Sequence, residues 1–170
     1  MGDNGAYKDP QWLIPNNENK DKVSNYSMDF DGMNDYINLG DSDTFSFGDG
    51  ATDSPFSISA WIKMDSTSGF RIFHKSAGSI SEYQFGTGGS NKLQMFIFDS
   101  SNNFKYRARV YNTILNTGQW YHVATTYSGV GGSNAQDGIK IYVDGVRVDD
   151  SSASGGVYVA MGNTTAPAYI

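Results

Sequence analysis

Residues 56–62 have the sequence Phe-Ser-Ile-Ser-Ala-Trp-Ile, in which apolar positions alternate with others. Successive side chains of a strand point to opposite faces, so Phe56, Ile58, Ala60 and Ile62 share one face. This alternation is typical of a strand that packs one face against a core. No window of the chain has the i, i+3, i+4, i+7 apolar pattern of an amphipathic helix.

Short apolar runs separated by turn residues continue on both sides of this stretch, at roughly the 8–12 residue spacing of all-β domains. The strongest hairpin signal is Asp144-Gly145, which lies between two apolar runs. The composition agrees, because 20 glycines and 21 tyrosines and phenylalanines suit strands joined by tight turns. The predicted strands are 26–30, 35–39, 55–64, 70–76, 82–86, 92–99, 104–111, 120–128, 138–144 and 156–161.

Charge and composition exclude several classes of protein. The 12 basic residues are scattered among 18 acidic ones, giving a formal charge of −6, whereas nucleic-acid binding requires a concentrated positive field. No stretch approaches the ~18 apolar residues of a membrane span. The absence of cysteine excludes thiol catalysis and Cys-based zinc sites. The sequence therefore predicts neither a nucleic-acid partner nor a membrane span.

The first 25 residues differ from the remainder. They are polar, apart from one apolar island at Trp12-Leu13-Ile14 between Pro10 and Pro15. No strand or helix period is visible, so we interpret 1–25 as an extended arm or linker and 26–170 as the sandwich domain. The island either folds back onto the sandwich or docks onto a neighbouring chain.

Four segments in order resemble the motifs of one family: 30–39, 56–63, 115–127 and 141–146. They are similar to laminin-G-like domains of the concanavalin A-like lectin/glucanase type. The resemblance implies an all-β fold, a two-sheet antiparallel jelly-roll β-sandwich. Such folds host lectins, adhesion modules, glycosidases and structural domains, so the resemblance alone does not assign a ligand.

The resemblance also implies a closing pair of C-terminal strands that begins about where this chain reaches Ile170. We therefore expect a sandwich that lacks those strands, as a truncated fragment would; the alternative is that the sandwich is completed in another way. A missing strand would leave an unpaired edge, which a partner's strand or assembly into an oligomer would cover.

Calcium is the cofactor that the resemblance suggests, bound near the first-strand turn. Asp31, Asn34 and Asp35 would be its ligands, because calcium takes six to eight oxygen ligands. The alternative is that these residues only cap local backbone in a turn.

Carbohydrate binding requires an exposed aromatic platform with amide or carboxylate hydrogen-bonding groups beside it. The candidates are Tyr83, Asn102, Asn103, Tyr106 and Asn112. The alternative is that the tyrosines pack within the sheets.

No residue is predicted to be catalytic. Glucan-cleaving enzymes of this fold place two Glu and one Asp on a single strand, whereas this chain has two glutamates, Glu18 and Glu82, far apart. His74 and His122 fall within predicted strands, and we favour structural roles for both. The chain is predicted not to be an enzyme; a glycoside hydrolase would have to use Glu82.

Large aromatic residues on the strands are the predicted structural core. They are Phe30, Trp61, Trp120 and Tyr142.

Two functional hypotheses follow. The first is a non-enzymatic structural or display domain of a virion or other surface assembly, with possible carbohydrate recognition; residues 9–21 resemble structural proteins of marine bacteriophages that carry such domains. The second is a calcium-dependent, lectin-like adhesion domain. Both imply an extracellular or virion-surface location, with glycans and neighbouring protein subunits as partners.

Overall fold

A computed structural model describes residues 30–31, 34–66, 69–88, 91–99 and 105–170. The chain divides into two compact units, Met1–Met33 and Asn34–Ile170. Of the first unit, only Phe30 and Asp31 are described, and both are exposed. The fold and the sites below belong to the second unit.

Eleven strands make up the described part of the second unit. They are β1 (Asn38–Gly40), β2 (Phe56–Lys63), β3 (Arg71–Ala77), β4 (Ile80–Thr87), β5 (Lys92–Phe98), β6 (Tyr106–Ile114), β7 (Trp120–Tyr127), β8 (Ile139–Val143), β9 (Val146–Arg147), β10 (Ser151–Gly155) and β11 (Ala168–Tyr169). The helical elements of this part are two short 3-10 turns, Asp43–Phe45 and Ala135–Gly138. The prediction of an all-β chain is confirmed. No helix among the described residues is long and apolar enough to span a membrane.

The strands form two antiparallel sheets, as expected for a jelly-roll sandwich. The large sheet has seven strands in the order β1-β11-β3-β4-β5-β6-β10, and the small sheet has four in the order β2-β7-β8-β9. Strand β11, the last in the chain, lies between β1 and β3. Strand β2 is an edge of the small sheet, and it pairs with β7 over all eight of its residues.

The core lies between the sheets and follows the alternation of their strands. The large sheet contributes Phe85, Met95 and Ile97, and the small sheet contributes Val123 and Ile141, all fully buried. Burial of each such side chain contributes about 1.5–3 kcal/mol. The sandwich is therefore held mainly by residues whose alternation the sequence already shows.

The hairpin predicted at Asp144-Gly145 is confirmed. Strands β8 and β9 pair on either side of it, and both turn residues have positive φ, 50° for Asp144 and 81° for Gly145. Two successive left-handed residues make the type of turn whose twist matches that of an antiparallel pair. Asp144 also accepts a hydrogen bond from the backbone N–H of His122, at 2.8 Å.

The predicted aromatic core is wrong. Trp61 is 66% exposed and Trp120 is 60% exposed, because both lie on the face of their strands that points away from the large sheet. Tyr142 shares this outer face and is only half-buried. Phe30 is 41% exposed and does not lie in a strand. Ring size suggested burial, but the strand period decides which face a residue takes.

The predicted strand at 156–161 is also wrong, since β10 ends at Gly155 and residues 157–166 form no strand. Residues 157–166 are held by hydrogen bonds from their backbone to side chains of the sandwich, and not by pairing with a strand. Asp99 accepts the N–H of Val159 at 3.0 Å, and Asp53 and Glu82 accept from residues further along. We call residues 157–166 the C-terminal segment. Of the predicted strand 26–30, residues 26–29 lie outside the described residues.

Candidate functional site

The open face is the side of the large sheet that points away from the small sheet. The core residues Phe73 and Phe85 pair across β3 and β4, so the next pair, His74 and Gln84, points outward. The same register continues across the sheet, and one row of the open face is Tyr169, His74, Gln84, Phe96, Ala108 and Ala153. The neighbouring row is Arg71, Gly86, Gln94, Val110 and Ser151.

A cavity of about 280 Å³ lies at one end of the first row and is lined by Tyr36, His74 and Tyr169. The imidazole of His74 stacks on Tyr169, with ring centroids 5.1 Å apart and planes at 25°. Tyr36 meets Tyr169 edge-on at 5.5 Å and is itself 64% exposed. We call this cavity the tyrosine pocket. Its volume is near the lower end of small-ligand sites, and its walls are mainly aromatic.

His74 supplies a polar group to the pocket. Its Nδ1 atom is buried and has no hydrogen-bond partner among the described residues. Burial lowers the pKa of His74, and the nearby Arg71 lowers it further. The ring is therefore neutral at neutral pH, with one nitrogen that accepts and one that donates. A neutral imidazole can exchange hydrogen bonds with a ligand hydroxyl.

Arg71 lies on the neighbouring row, and its guanidinium is held by Gln84, the cross-strand partner of His74. Its Nε donates to Gln84 Oε1 at 3.0 Å, and Nη1 donates to the Thr87 carbonyl at 3.3 Å. The amide of Gln84 is oriented in turn by a 3.2 Å bond from its Nε2 to Ser76 Oγ. Burial lowers the pKa of Arg71, yet no carboxylate among the described residues forms an ion pair with it within 4 Å.

A glycine permits this arrangement. Gly86 is the cross-strand partner of Arg71, where β3 has an irregular register. A Cβ atom on Gly86 would lie 2.2 Å from the Phe70 carbonyl oxygen and 2.8 Å from the Cα of Arg71. Any larger residue would push β3 away from β4 and displace the guanidinium.

The outer face of the small sheet carries a second aromatic group. Trp61 and His122 are cross-strand partners with ring centroids 5.3 Å apart, and Trp120 pairs with Lys63 one step along the same face. Both tryptophans of this group are exposed.

The predicted carbohydrate residues do not form one site. Tyr83 is fully buried, and its hydroxyl donates to the Phe45 carbonyl at 2.9 Å, so its assignment as a ligand contact is wrong. Tyr106 lies on the open face, packed against Phe96 and Phe98. Asn112 is exposed near the far edge, where its Oδ1 accepts from Ser151 Oγ at 2.9 Å. Asn102 and Asn103 lie outside the described residues.

The predicted calcium ligands fall in both units of the chain. Asp31 belongs to the first unit, and Asn34 and Asp35 begin the second; all three are exposed. The described part of the chain contains no group of three or more His, Cys, Asp or Glu residues that would hold a metal ion. The calcium site therefore stays a prediction, and no step below depends on the ion.

Glu82, the residue that a hydrolase would have to use, is fully buried in an ion pair. The Lys75 ammonium lies 3.1 Å from its Oε1 and 2.8 Å from Oδ1 of Asp41, and it also donates to the carbonyls of Thr164 and Ala166 at 2.9 and 2.7 Å. Glu82 Oε1 accepts from the N–H and hydroxyl of Thr164 at 2.7 and 2.8 Å. This carboxylate fastens the C-terminal segment and does not face a cavity.

Asp53 is a second carboxylate with the same role, and it is half-buried. Its Oδ2 accepts from the hydroxyls of Tyr127 and Tyr158 at 2.6 and 2.8 Å, and its Oδ1 accepts from the N–H of Met161 at 2.7 Å. Burial raises the pKa of Asp53, and the three hydrogen bonds oppose that rise only in part. Burial, followed by the neighbouring Asp53, raises the pKa of Tyr127.

The fold and the open face together define a class of protein: an antiparallel jelly-roll sandwich with a polar and aromatic face on its larger sheet. A family model described as the concanavalin A-like lectin/glucanases superfamily matches residues 31–170. The chain belongs to this superfamily, and the family resemblance of the four sequence motifs is confirmed.

The chain is also similar in fold to a native heptameric SAP-like pentraxin from Limulus polyphemus, at 16% sequence identity and a TM-score of 0.41. The match covers 79% of this chain and 62% of the pentraxin chain. The search among curated proteins found no match.

The sequence did not point to Tyr36, His74 and Tyr169 as one group. They are 38 and 95 residues apart along the chain, and only the insertion of β11 between β1 and β3 brings them together. Alternation within strand 70–76 predicts that His74 and Phe73 take opposite faces, and that was the one signal available.

Proposed function

We propose that this domain is a non-catalytic carbohydrate-recognition domain that binds a sugar in the tyrosine pocket of the open face. The observation that carries the proposal is the pocket itself. Two tyrosines and a stacked imidazole line an open depression of about 280 Å³. A sugar ring presents apolar C–H groups to aromatic rings and hydroxyls to polar atoms.

The proposal assigns no catalysis to this domain. Glu82 is held between Lys75 and Thr164, and Asp53 is enclosed by two phenols. Glu82 is fully buried and shares the Lys75 ammonium with Asp41, so it is engaged in structural contacts and is not open to a substrate. The family match supports carbohydrate recognition, and we propose an extracellular or virion-surface location for it. The structural contacts of Glu82 and Asp53 support binding without hydrolysis.

The test is binding of the purified chain to an array of glycans, measured once with calcium and once with a chelator. We expect Tyr36→Ala to abolish binding, because Tyr36 is exposed and its loss should leave folding intact. Trp61→Ala is the matched control, an exposed aromatic on the opposite sheet, and it should bind like the parent chain.

Other outcomes overturn parts of the proposal. Binding that Trp61→Ala removes and Tyr36→Ala spares would place the site on the small sheet. Binding that disappears with chelator would make calcium part of recognition, as in the lectin-like hypothesis. A folded chain that binds no glycan under either condition would reject carbohydrate recognition.

A second function, assembly into a surface structure such as a virion, is favoured by strand β2. No described strand pairs with the edge of β2 that faces away from β7. Beside this edge lies an apolar cavity of about 180 Å³, lined in part by Ile58, Ala60, Ile72 and Phe73. Unpaired strand edges beside apolar surface bind further strands.

Sedimentation of the full chain over a range of concentrations tests the assembly proposal. We expect association in the parent chain and loss of association in Ala60→Lys, which places a charge toward the cavity. Lys63→Ala on the same strand is the control. A parent chain that stays monomeric at every concentration would remove this second function.

A further inference from the structure

We infer that the tyrosine pocket is specific for acidic sugars, with Arg71 binding the carboxylate or sulfate group of the ligand. This inference rests on the proposed function and names the class of ligand for the same pocket. It starts from the guanidinium of Arg71, which the sandwich holds on the open face without an acidic partner among the described residues.

Some of the N–H donors of the Arg71 guanidinium remain available for a ligand. A guanidinium carries five N–H donors, and Arg71 uses Nε for Gln84 and one Nη1 donor for the Thr87 carbonyl. Neither acceptor is charged. The Nη2 donors make no hydrogen bond that involves the described residues. Two N–H groups on one edge of a guanidinium match the two oxygens of a carboxylate.

The position of the guanidinium is fixed before any ligand arrives. Gln84 is directly across the strand from His74, and its Oε1 receives Arg71 while its Nε2 donates to Ser76. The hydroxyl of Ser76 is 2.7 Å from that of Ser81. A chain of polar side chains therefore orients Arg71 on the open face, in the row next to that of His74, and little side-chain entropy is lost on binding.

The charges of the open face favour an anion. The two rows that include His74 and Arg71 contain no aspartate or glutamate. Lys92 pairs with Ile114 further along the same strands, while the whole chain has a formal charge of −6. At physiological ionic strength, charges more than about 8 Å away are largely screened. A ligand in the pocket therefore responds mainly to Arg71.

The remaining donors and rings determine how such a ligand would sit. Its ring lies against Tyr36 and Tyr169, a hydroxyl meets the imidazole of His74, and its acidic group meets Arg71. Since His74 is neutral at neutral pH, Arg71 is the cation that discriminates acidic from neutral sugars in this pocket. Gln84 positions Arg71 and is not itself required to touch the ligand.

The experiment uses matched pairs of oligosaccharides: oligogalacturonides, oligomannuronates and oligoglucuronates, each beside the same oligomer with its carboxylates methyl-esterified. Titration calorimetry of the full chain measures both members of each pair. We expect at least one acidic oligomer to bind about 10- to 100-fold more tightly than its ester, as for one charge-assisted hydrogen-bonding pair. Binding should weaken as salt is added.

Three variants separate the inference from the proposed function. Arg71→Gln should lower the affinity for the acidic oligomer to that of the ester and leave the affinity for the ester unchanged. Arg71→Lys should give an intermediate value, because an ammonium keeps the charge but not the paired geometry. Tyr36→Ala should remove binding of both, and circular dichroism should show that each variant is folded.

Each result decides between the two claims. Equal binding of acid and ester, or an Arg71→Gln variant that still prefers the acid, overturns the acidic-sugar inference and leaves the proposed function standing. Binding of all oligomers that survives Tyr36→Ala overturns the pocket assignment as well. Absence of binding to the acidic and neutral sugars alike rejects both.

Discussion

Glu82 and Asp53 are two carboxylates, the first fully buried and the second half-buried, that bind the same C-terminal segment by different chemistry. Glu82 meets a buried ammonium, Lys75, and accepts from Thr164. Asp53 meets no cation among the described residues; it accepts from two phenols and the N–H of Met161. The comparison teaches that a segment without a strand ladder can be bound by side chains, provided that each buried charge is compensated.

Removal of the ammonium should produce the largest effect. Lys75→Met leaves the Glu82 carboxylate buried without its counter-ion, and such a loss costs about 3–5 kcal/mol. The free energy of unfolding in urea measures it. Lys63→Met, the loss of an exposed lysine, is the control and should stay within about 0.5 kcal/mol of the parent.

A double variant sharpens this first prediction. Lys75→Met with Glu82→Gln removes both charges, and it should be more stable than Lys75→Met alone because no unpaired carboxylate remains. If the double variant were as unstable as the sum of the two single variants, the ion pair would have no coupling energy and the comparison with Asp53 would fail.

Neutralisation of Asp53 should have a smaller effect. In Asp53→Asn, one oxygen still accepts from Met161, but the amide NH2 that replaces the second oxygen cannot accept from the hydroxyls of Tyr127 and Tyr158. A hydrogen-bonding group left without its partner costs about 1–3 kcal/mol, so we expect a loss within that range by urea unfolding. A loss as large as that of Lys75→Met would show that the phenols compensate the charge as strongly as an ammonium does.

The stability difference between the parent chain and Asp53→Asn should also depend on pH. Burial raises the pKa of Asp53 above the ordinary value for an aspartate, so the folded state holds the proton more tightly than the unfolded state. The contribution of Asp53 is fully present below about pH 4 and is lost as pH rises through the native pKa. Unfolding measured between acid and neutral pH should show the advantage of the parent shrinking; an advantage that grows would contradict this sign.

The smallest effect should come from Ser46→Ala. The Ser46 hydroxyl lies 3.3 Å from Glu82 Oε1 and 3.2 Å from Asn163 Oδ1, and both distances are at the long end for a hydroxyl donor. We expect a loss of about 0.5 kcal/mol or less in thermal or urea unfolding. A loss above about 2 kcal/mol would mean that Glu82 depends on Ser46 as well as on Lys75.

Local pattern in the sequence predicted the fold and only part of the site. The alternation of residues 56–62 places Phe56 and Ile62 in the core, as observed, and the same alternation places Trp61 on the opposite face. The expectation of a buried Trp61 gave ring size more weight than the strand period. The burial of Tyr83 was missed for a different reason. Strand β4 is buried on both faces along most of its length, so its sequence does not alternate in a way that would predict which face Tyr83 takes.

The tyrosine pocket and the two carboxylates depended on information that local pattern lacks. Tyr36 and Tyr169 meet because β11 lies between β1 and β3, a pairing of distant residues. Lys75 and Glu82 have the sequence of an ordinary polar strand pair, and only the path of residues 157–166 encloses them. Charged residues in strands are usually solvated, so nothing in the local sequence marks Lys75 and Glu82 as buried.

The pairing of Ile37 with Ile170 has a mechanical consequence. The two residues exchange backbone hydrogen bonds of 2.8 and 3.1 Å, Ile37 just before β1 and Ile170 just after β11. Tension on the chain at these two points would pull the paired residues directly apart, so the bonds would break one after another as in a zipper. Shear would load the whole ladder at once. The sandwich should therefore begin to open at low force from this edge, whatever its resistance to heat or urea.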